Sequence, residues 1–176
     1  RSHGVTRDES LMTSQSEGAW HYQQVDLGFN YRMTELQAAL GVSQMQRLDE
    51  FVAKRHILKD RYNSLLNGLP IIKPYQDKNS YSALHLYPIK IELNKVSKNR
   101  KQIFNELRED GIGVNVHYIP IQTHPYYRQL GFKEGDFPNS ESYYETALSI
   151  PLYSGMCFQD QDKVVASIIG ALDANN

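Results

Sequence analysis

Apolar side chains recur at helical spacing over residues 34–68, and this pattern predicts a single long helix. Thr34 and Gln37 match a capping box, in which each side chain bonds the backbone N–H of the other residue. Gly68 and Pro70 mark the expected end of the helix. A helix of about 30 residues is roughly 45 Å long, which suits a connector between two domains.

The chain after this helix alternates between strand-like and helix-like patterns. The strands are expected at 85–93, 112–118 and 148–151, and the helices at 98–110, 138–147 and 160–172. Ser97 is the expected cap of the first of these helices, and Pro88 favours a strand start or a sheet edge. The order β-α-β-α-β-α with short strands predicts an α/β domain in which helices cover a small sheet.

Residues 1–29 show little periodicity of either kind, and the polar stretch at 8–18 predicts a loop. Trp20, Leu27 and Phe29 add apolar bulk without a regular spacing. Such a segment has difficulty burying its apolar side chains alone. We therefore expect it to pack against something that precedes it.

Charge and composition exclude several classes of function. Lys and Arg total 19 and Asp and Glu total 20, so no basic excess points to a nucleic acid or to an anionic membrane. No apolar run approaches the roughly 20 residues of a membrane span. The single cysteine, Cys157, cannot form an internal disulfide, which fits a reducing cytoplasm, and its neighbours predict a buried thiol.

One candidate site lies just before the long helix. Asn30 offers a neutral amide, and Arg32 offers a planar cationic fork that suits phosphate oxygens. The start of the helix adds unpaired N–H groups and the positive end of its dipole. These groups predict a phosphate site. The alternative is a capped helix entry in which Arg32 pairs with a nearby carboxylate.

A second candidate site lies at the end of the predicted strand 112–118. Asn115 and His117 share one face of that strand, and Tyr118 follows them. If this face lines a cleft, the three side chains can contact a polar ligand; the alternative is a purely structural histidine. His117 and His124 lack a third ligand at metal-site spacing, so no metal site is predicted.

Several stretches, read in order, resemble the DegT/StrS-type sugar aminotransferases, whose cofactor is pyridoxal phosphate (PLP). The resemblance covers nearly the whole chain, and within the family it is strongest to the transaminases of pseudaminic acid synthesis. The resembling stretches are residues 1–4, 28–41, 47–49, 85–89, 111–120 and 149–152, together with Gln44, Arg55 and Tyr62.

The resemblance implies an α/β chain that contains the C-terminal small domain of a fold-type I PLP-dependent transferase, with a small antiparallel-type sheet covered by helices. Residues 1–33 are then the loop-rich tail of a missing large domain, residues 34–68 the long connecting helix, and residues 69–176 the small C-terminal domain. The family also implies a cytoplasmic homodimer with active sites at the dimer interface.

The implied reaction moves the amino group of glutamate to the C4 keto carbon of a UDP-linked 6-deoxy sugar for cell-surface glycan synthesis. Asn30 matches the family's asparagine that reaches the PLP phosphate of the neighbouring subunit, and Arg32 matches an arginine lining the same site. His117 and Tyr118 match small-domain residues that face the nucleotide-sugar substrate.

The family's PLP lysine lies in a Ser-x-His-x-x-Lys stretch of the large domain, and none of the ten lysines here has that context. Transamination needs this amine as covalent partner of the cofactor and as proton carrier, so we expect this chain alone to be inactive. Three alternatives stay open: a related sugar dehydratase with histidine in place of lysine, a non-catalytic ligand-binding domain, and a module that dimerises through the long helix.

Overall fold

The computed structural model of the chain describes residues 3–172, which form two compact units divided between Leu48 and Asp49. The resemblance at Arg1 and Ser2 lies outside the described residues. Every strand pairing among the described residues is antiparallel. The predicted α/β class and antiparallel sheet are therefore confirmed.

The first unit contains two short strands, one 3-10 turn and one helix. These are β1 (Val5–Thr6), a 3-10 turn (Glu9–Leu11), β2 (Gln23–Gln24) and α1 (Glu35–Met45). The two strands pair with each other. No residue from 3 to 48 is buried, so this part of the chain has no apolar core of its own. This agrees with the expected difficulty of burying apolar side chains in the N-terminal segment.

The prediction of one continuous helix over 34–68 was wrong. A turn at Gln46 and Arg47 separates α1 from a second helix, α2 (Leu48–Leu65). The Arg47 N–H donates to the Gln44 carbonyl at 3.1 Å, an i→i−3 bond that tightens the end of α1. Periodicity missed this turn because apolar residues keep helical spacing on both sides of it.

The second unit holds one core around a three-stranded sheet with the strand order β3-β4-β5. Its elements after α2 are β3 (Ile71–Ile72), β4 (Tyr87–Ile91), a 3-10 turn (Leu93–Lys95), α3 (Arg100–Glu109), a 3-10 turn (Ile121–Thr123), α4 (Pro125–Gln129), α5 (Pro138–Thr146), β5 (Ala147–Ile150) and α6 (Phe158–Leu172). Side chains from α2, all three strands, α3 and α6 form a single buried cluster. Its largest fully buried apolar members are Tyr62, Tyr87, Leu66, Ile89, Ile91, Ile103, Leu107, Leu148, Ile168 and Leu172.

The central strand β4 behaves as its alternation predicts. Its odd-numbered residues are buried and its even-numbered residues are half-buried. The strand pairs with β5 over residues 87–90 and with β3 only at residues 90 and 91. Pro88 therefore lies near the strand start, where the β3 side is unpaired, as the sequence predicts.

The predicted strand 112–118 does not form. Only Asn115 pairs, as an isolated antiparallel bridge with Ser149 of β5. The third place in the sheet belongs instead to β3, whose two residues are too few to show an alternating pattern. The predicted order of elements was therefore wrong at these two positions.

Two local predictions also failed. The cap of α3 is Asn99 rather than Ser97: the Asn99 side chain accepts the Gln102 N–H at 3.0 Å, and the Gln102 side chain accepts the Asn99 N–H at 2.9 Å. Cys157 is exposed rather than buried, because it lies in the turn before α6, where its thiol donates to Asp160 Oδ2 at 3.1 Å.

Candidate functional site

Two close-packed glycines shape the segment that leads into α1. The Val25 N–H donates to the Gly4 carbonyl at 2.9 Å. Gly4 has φ +71°, and a Cβ on it would lie 1.8 Å from the Asp26 carbonyl oxygen. A Cβ on Gly28 would lie 2.2 Å from the Gly4 nitrogen. Both positions therefore require glycine, which lets the two backbone segments pass in contact.

The predicted capping box at the start of α1 is confirmed. The Gln37 N–H donates to Thr34 Oγ1 at 3.3 Å, and the Thr34 N–H donates to Gln37 Oε1 at 3.0 Å. The cap fixes the residue at which the helix begins and therefore the direction in which the preceding residues enter it.

Asn30 and Arg32 precede this cap, and both side chains are exposed. Within residues 3–172 neither side chain forms a hydrogen bond or an ion pair, so the alternative in which Arg32 pairs with a carboxylate is not observed there. The rings of Phe29 and Tyr31 stack, with centroids 5.2 Å apart. An exposed amide and an exposed guanidinium on the same short segment form a donor set suited to phosphate oxygens.

The second candidate site lies at the bridge between Asn115 and Ser149, in the second unit. Two backbone hydrogen bonds of 3.1 and 2.8 Å join these residues. The half-buried imidazole of His117 contacts both side chains: its Nδ1 lies 2.8 Å from Ser149 Oγ, and its Nε2 lies 3.3 Å from Asn115 Nδ2. The Tyr118 ring packs edge-on against the His117 ring, with the ring centroids 4.6 Å apart, and Tyr118 is 71 % exposed.

Sequence reasoning named Asn115, His117 and Tyr118 for this site and missed Ser149. Ser149 is 32 residues from His117 along the chain and reaches it only because β5 forms the bridge. The resemblance did include the stretch that contains Ser149, but the strand pairing that gives it a role has no local signature.

The structure contains no candidate metal centre, since no group of three or more His, Cys, Asp or Glu side chains in residues 3–172 could hold a metal ion. A cavity of about 460 Å³ lies elsewhere in the second unit and is not lined by His117. Its carboxylate, Asp160, already accepts the backbone N–H and the thiol of Cys157, which hold the pKa of Asp160 below its usual range.

None of the ten lysines is buried. No helix in the described part of the chain is long and apolar enough to cross a membrane.

The sequence matches the model of the DegT/DnrJ/EryC1/StrS aminotransferase family over residues 1–169. The chain belongs to this family. Asn30 and Arg32 of this family member lie in the first unit, and His117 and Tyr118 lie in the second.

Several curated proteins are similar to this aminotransferase-family chain. An uncharacterized protein of Methanocaldococcus jannaschii, MJ1066, is 37 % identical over 170 residues, which cover 96 % of this chain and 44 % of that protein. The spore coat polysaccharide biosynthesis protein SpsC of Bacillus subtilis is 37 % identical over 156 residues, which cover 87 % and 40 %. A UDP-4-amino-4,6-dideoxy-N-acetyl-beta-L-altrosamine transaminase of Campylobacter jejuni is 29 % identical over 174 residues, which cover 98 % and 43 %. The chain thus spans less than half the length of these relatives.

Solved structures of sugar aminotransferases have the same fold. A putative sugar aminotransferase of Streptococcus pneumoniae, Spr1654, in its PMP form matches with a TM-score of 0.82 and 27 % identity, over 97 % of this chain and 42 % of that one. Its PLP form matches with a TM-score of 0.81. PseC of Helicobacter pylori, an aminotransferase of pseudoaminic acid biosynthesis, matches with a TM-score of 0.81 and 25 % identity, over 98 % and 44 %.

Proposed function

We propose that this chain is the C-terminal part of a PLP-dependent aminotransferase that transfers the amino group of glutamate to a 4-keto-6-deoxy nucleotide sugar for cell-surface glycan synthesis. The observation that carries this proposal is the family match over residues 1–169. A transaminase that acts on a UDP-linked amino sugar is among the relatives. The same match favours an enzyme over a stand-alone ligand-binding or dimerisation domain.

The apolar surface of the first unit supports a longer protein. Four large apolar side chains are more than 70 % exposed there: Trp20, Leu27, Tyr31 and Leu36. A soluble protein rarely leaves so many exposed together without a partner surface. We assign residues 1–33 to the tail of a large domain, the helices after it to a connector, and residues 69–176 to the small C-terminal domain. The large domain and a second subunit of a homodimer are the surfaces that would cover these side chains.

Asn30 and Arg32 have the right chemistry for the phosphate of PLP. An amide N–H and a guanidinium both donate hydrogen bonds to phosphate oxygens, and both side chains are exposed and free of other partners within residues 3–172. When bound, PLP withdraws electrons from the amino-bearing carbon of the substrate. In the proposed homodimer Asn30 donates to the phosphate of the cofactor in the neighbouring subunit, and Arg32 lines the same site.

His117 and Tyr118 form the proposed substrate side of the small domain. The Tyr118 ring is largely exposed beside the imidazole, so the pair offers one apolar and one polar surface. We propose that they contact the nucleotide sugar. The reactive lysine belongs to the large domain, and this chain alone is therefore inactive.

Substitution of Asn30 tests the proposed cofactor contact. In the longer protein that continues this chain on its N-terminal side, we expect Asn30→Ala to raise the Kd for PLP by roughly 10- to 100-fold, because a hydrogen bond to a charged group contributes about 1.5–3 kcal/mol. Titration with PLP, followed by its visible absorption, measures this. Asn105→Ala, on the exposed side of α3, is the matched control and should leave the Kd unchanged. If the two variants had the same Kd for PLP, Asn30 would not contact the cofactor.

A further inference from the structure

The imidazole of His117 lies between two polar side chains that differ in whether they can donate and accept hydrogen bonds. Ser149 Oγ, 2.8 Å from Nδ1, can donate or accept. The Asn115 side-chain amide, 3.3 Å from Nε2, can do only one of these, depending on which of its two ends faces the ring. The orientation of this amide therefore decides where the imidazole carries its proton.

A third contact fixes that orientation. The Val116 backbone N–H donates to Asn115 Oδ1 at 2.8 Å. A backbone N–H cannot accept a hydrogen bond, so the oxygen of the amide must face Val116 and the NH₂ group must face His117. The NH₂ group only donates, and Nε2 of the imidazole must therefore accept.

An imidazole that accepts through Nε2 and is neutral carries its proton on Nδ1. Nδ1–H then donates to Ser149 Oγ. Ser149 is 5 % exposed, and its backbone is bonded to Asn115 in both directions, so both partners of the ring are held in place. In this network Nε2 carries no hydrogen, so the imidazole cannot donate a hydrogen bond from that nitrogen.

We propose that Asn115 and Ser149 are positioning residues that hold His117 as a neutral imidazole protonated on Nδ1, with Nε2 as a hydrogen-bond acceptor. Nε2 has a single lone pair, and the Asn115 bond to it is long, so an incoming donor can displace this bond and take its place. The ligand group that this histidine fits is an O–H or N–H donor, such as a sugar hydroxyl, and not a phosphate oxygen, because two lone pairs repel. This assignment of the ligand group to a sugar rests on the proposed function.

The tautomer is measurable by ¹⁵N NMR on the 176-residue chain without cofactor or substrate, and His117→Gln identifies the resonances by their loss. At pH 8 we expect Nδ1 of His117 in the pyrrole-type range, which marks a protonated nitrogen, and Nε2 in the pyridine-type range. The reversed assignment, two protonated nitrogens, or averaged shifts would overturn the proposal.

Two variants test the positioning residues separately. Asn115→Asp replaces the NH₂ donor by a carboxylate oxygen, so Nε2 should gain a proton and move into the pyrrole-type range. Ser149→Ala removes the acceptor for Nδ1–H while Asn115 still donates to Nε2, so the Nδ1 resonance should shift within the pyrrole-type range and Nε2 should stay in the pyridine-type range. Ser142→Ala, on the exposed face of α5, is the matched control and should change neither resonance. Unchanged shifts in either test variant would overturn that residue's positioning role.

These outcomes are independent of whether the longer protein is an aminotransferase. Absence of transaminase activity would overturn the proposed function and leave the measured tautomer as it is. A protonated Nε2 in an active enzyme would overturn the inference about His117 alone.

Discussion

Gly4 shows how a single residue determines the course of the segment before α1. Its left-handed φ and its contact with the Asp26 carbonyl both exclude a side chain. We expect Gly4→Ala to destabilise this contact by about 1–3 kcal/mol, so that the Val25 amide, which bonds the Gly4 carbonyl, loses its protection against hydrogen exchange. Gly41→Ala is the control, because a Cβ there meets nothing within 4 Å. Equal protection of Val25 in both variants would contradict this account.

At the residue scale the sequence predicts candidate side chains but not the contacts that they make. Asn30 and Arg32 stood out because an amide and a guanidinium precede a capped helix, and the structure leaves both exposed. His117 is a candidate by its place on one face of the expected strand 112–118 and in the resembling stretch, but the hydrogen bond to Ser149 depends on a strand pairing between distant parts of the chain. The exposure of Cys157 was missed because its apolar neighbours predict burial.

At the element scale α3 offers a direct comparison between a cap predicted from sequence and the observed cap. Asn99 forms both bonds of a capping box with Gln102, whereas Ser97 lies two residues before the cap. We expect Asn99→Ala to lower the free energy of unfolding by about 1 kcal/mol, and Ser97→Ala to change it by less than about 0.5 kcal/mol. Urea unfolding of the two variants checks this. If Ser97→Ala lowered the free energy of unfolding more than Asn99→Ala does, Ser97 would be the cap, as the sequence predicts.

Two buried tyrosines connect α2 to the rest of its unit. The Tyr62 hydroxyl donates to the Pro151 carbonyl at 3.0 Å, and the Tyr87 hydroxyl donates to Asn63 Oδ1 at 2.6 Å. Burial raises the pKa of both Tyr62 and Tyr87 well above the usual value, which is about 10. The unfolded state therefore loses these protons at a lower pH than the folded state does.

This difference predicts an alkaline loss of stability. The contribution of the two tyrosines is complete below about pH 10 and falls as the pH rises from there toward their folded-state pKa values, by up to about 1.4 kcal/mol per pH unit for each tyrosine. Urea unfolding at several alkaline pH values should show a shallower decline in the double variant Tyr62→Phe, Tyr87→Phe than in the wild type. Tyr81→Phe, at an exposed position, should keep the wild-type slope. Equal slopes in all three proteins would contradict the burial argument.

Local patterns predicted helices better than strands. The periodicity located α5, α6 and the central strand β4, because each has several turns or alternations on which a pattern can rest. It failed for β3, which has two residues, and for 112–118, where alternation occurs in an extended segment that forms one bridge. It also joined α1 to α2, since a turn of two residues does not disturb the spacing of apolar side chains.

At the scale of the whole molecule, the two units differ in how many of their described side chains are buried. The second unit has a continuous buried core, which explains why its elements were largely predictable from apolar patterns. No residue from 3 to 48 is buried, which agrees with the lack of periodicity in residues 1–29. The family resemblance includes this segment, for which periodicity gives no prediction, and the family match over residues 1–169 covers it too.

Turnover of a UDP-linked 4-keto-6-deoxy sugar with glutamate and PLP tests most directly whether this chain holds the phosphate-side and substrate-side contacts of an enzyme whose reactive lysine lies elsewhere. We predict turnover by the longer protein that continues this chain on its N-terminal side, and none by the 176-residue chain under the same conditions. Turnover by the 176-residue chain alone, or none by the longer protein saturated with PLP, would contradict the account.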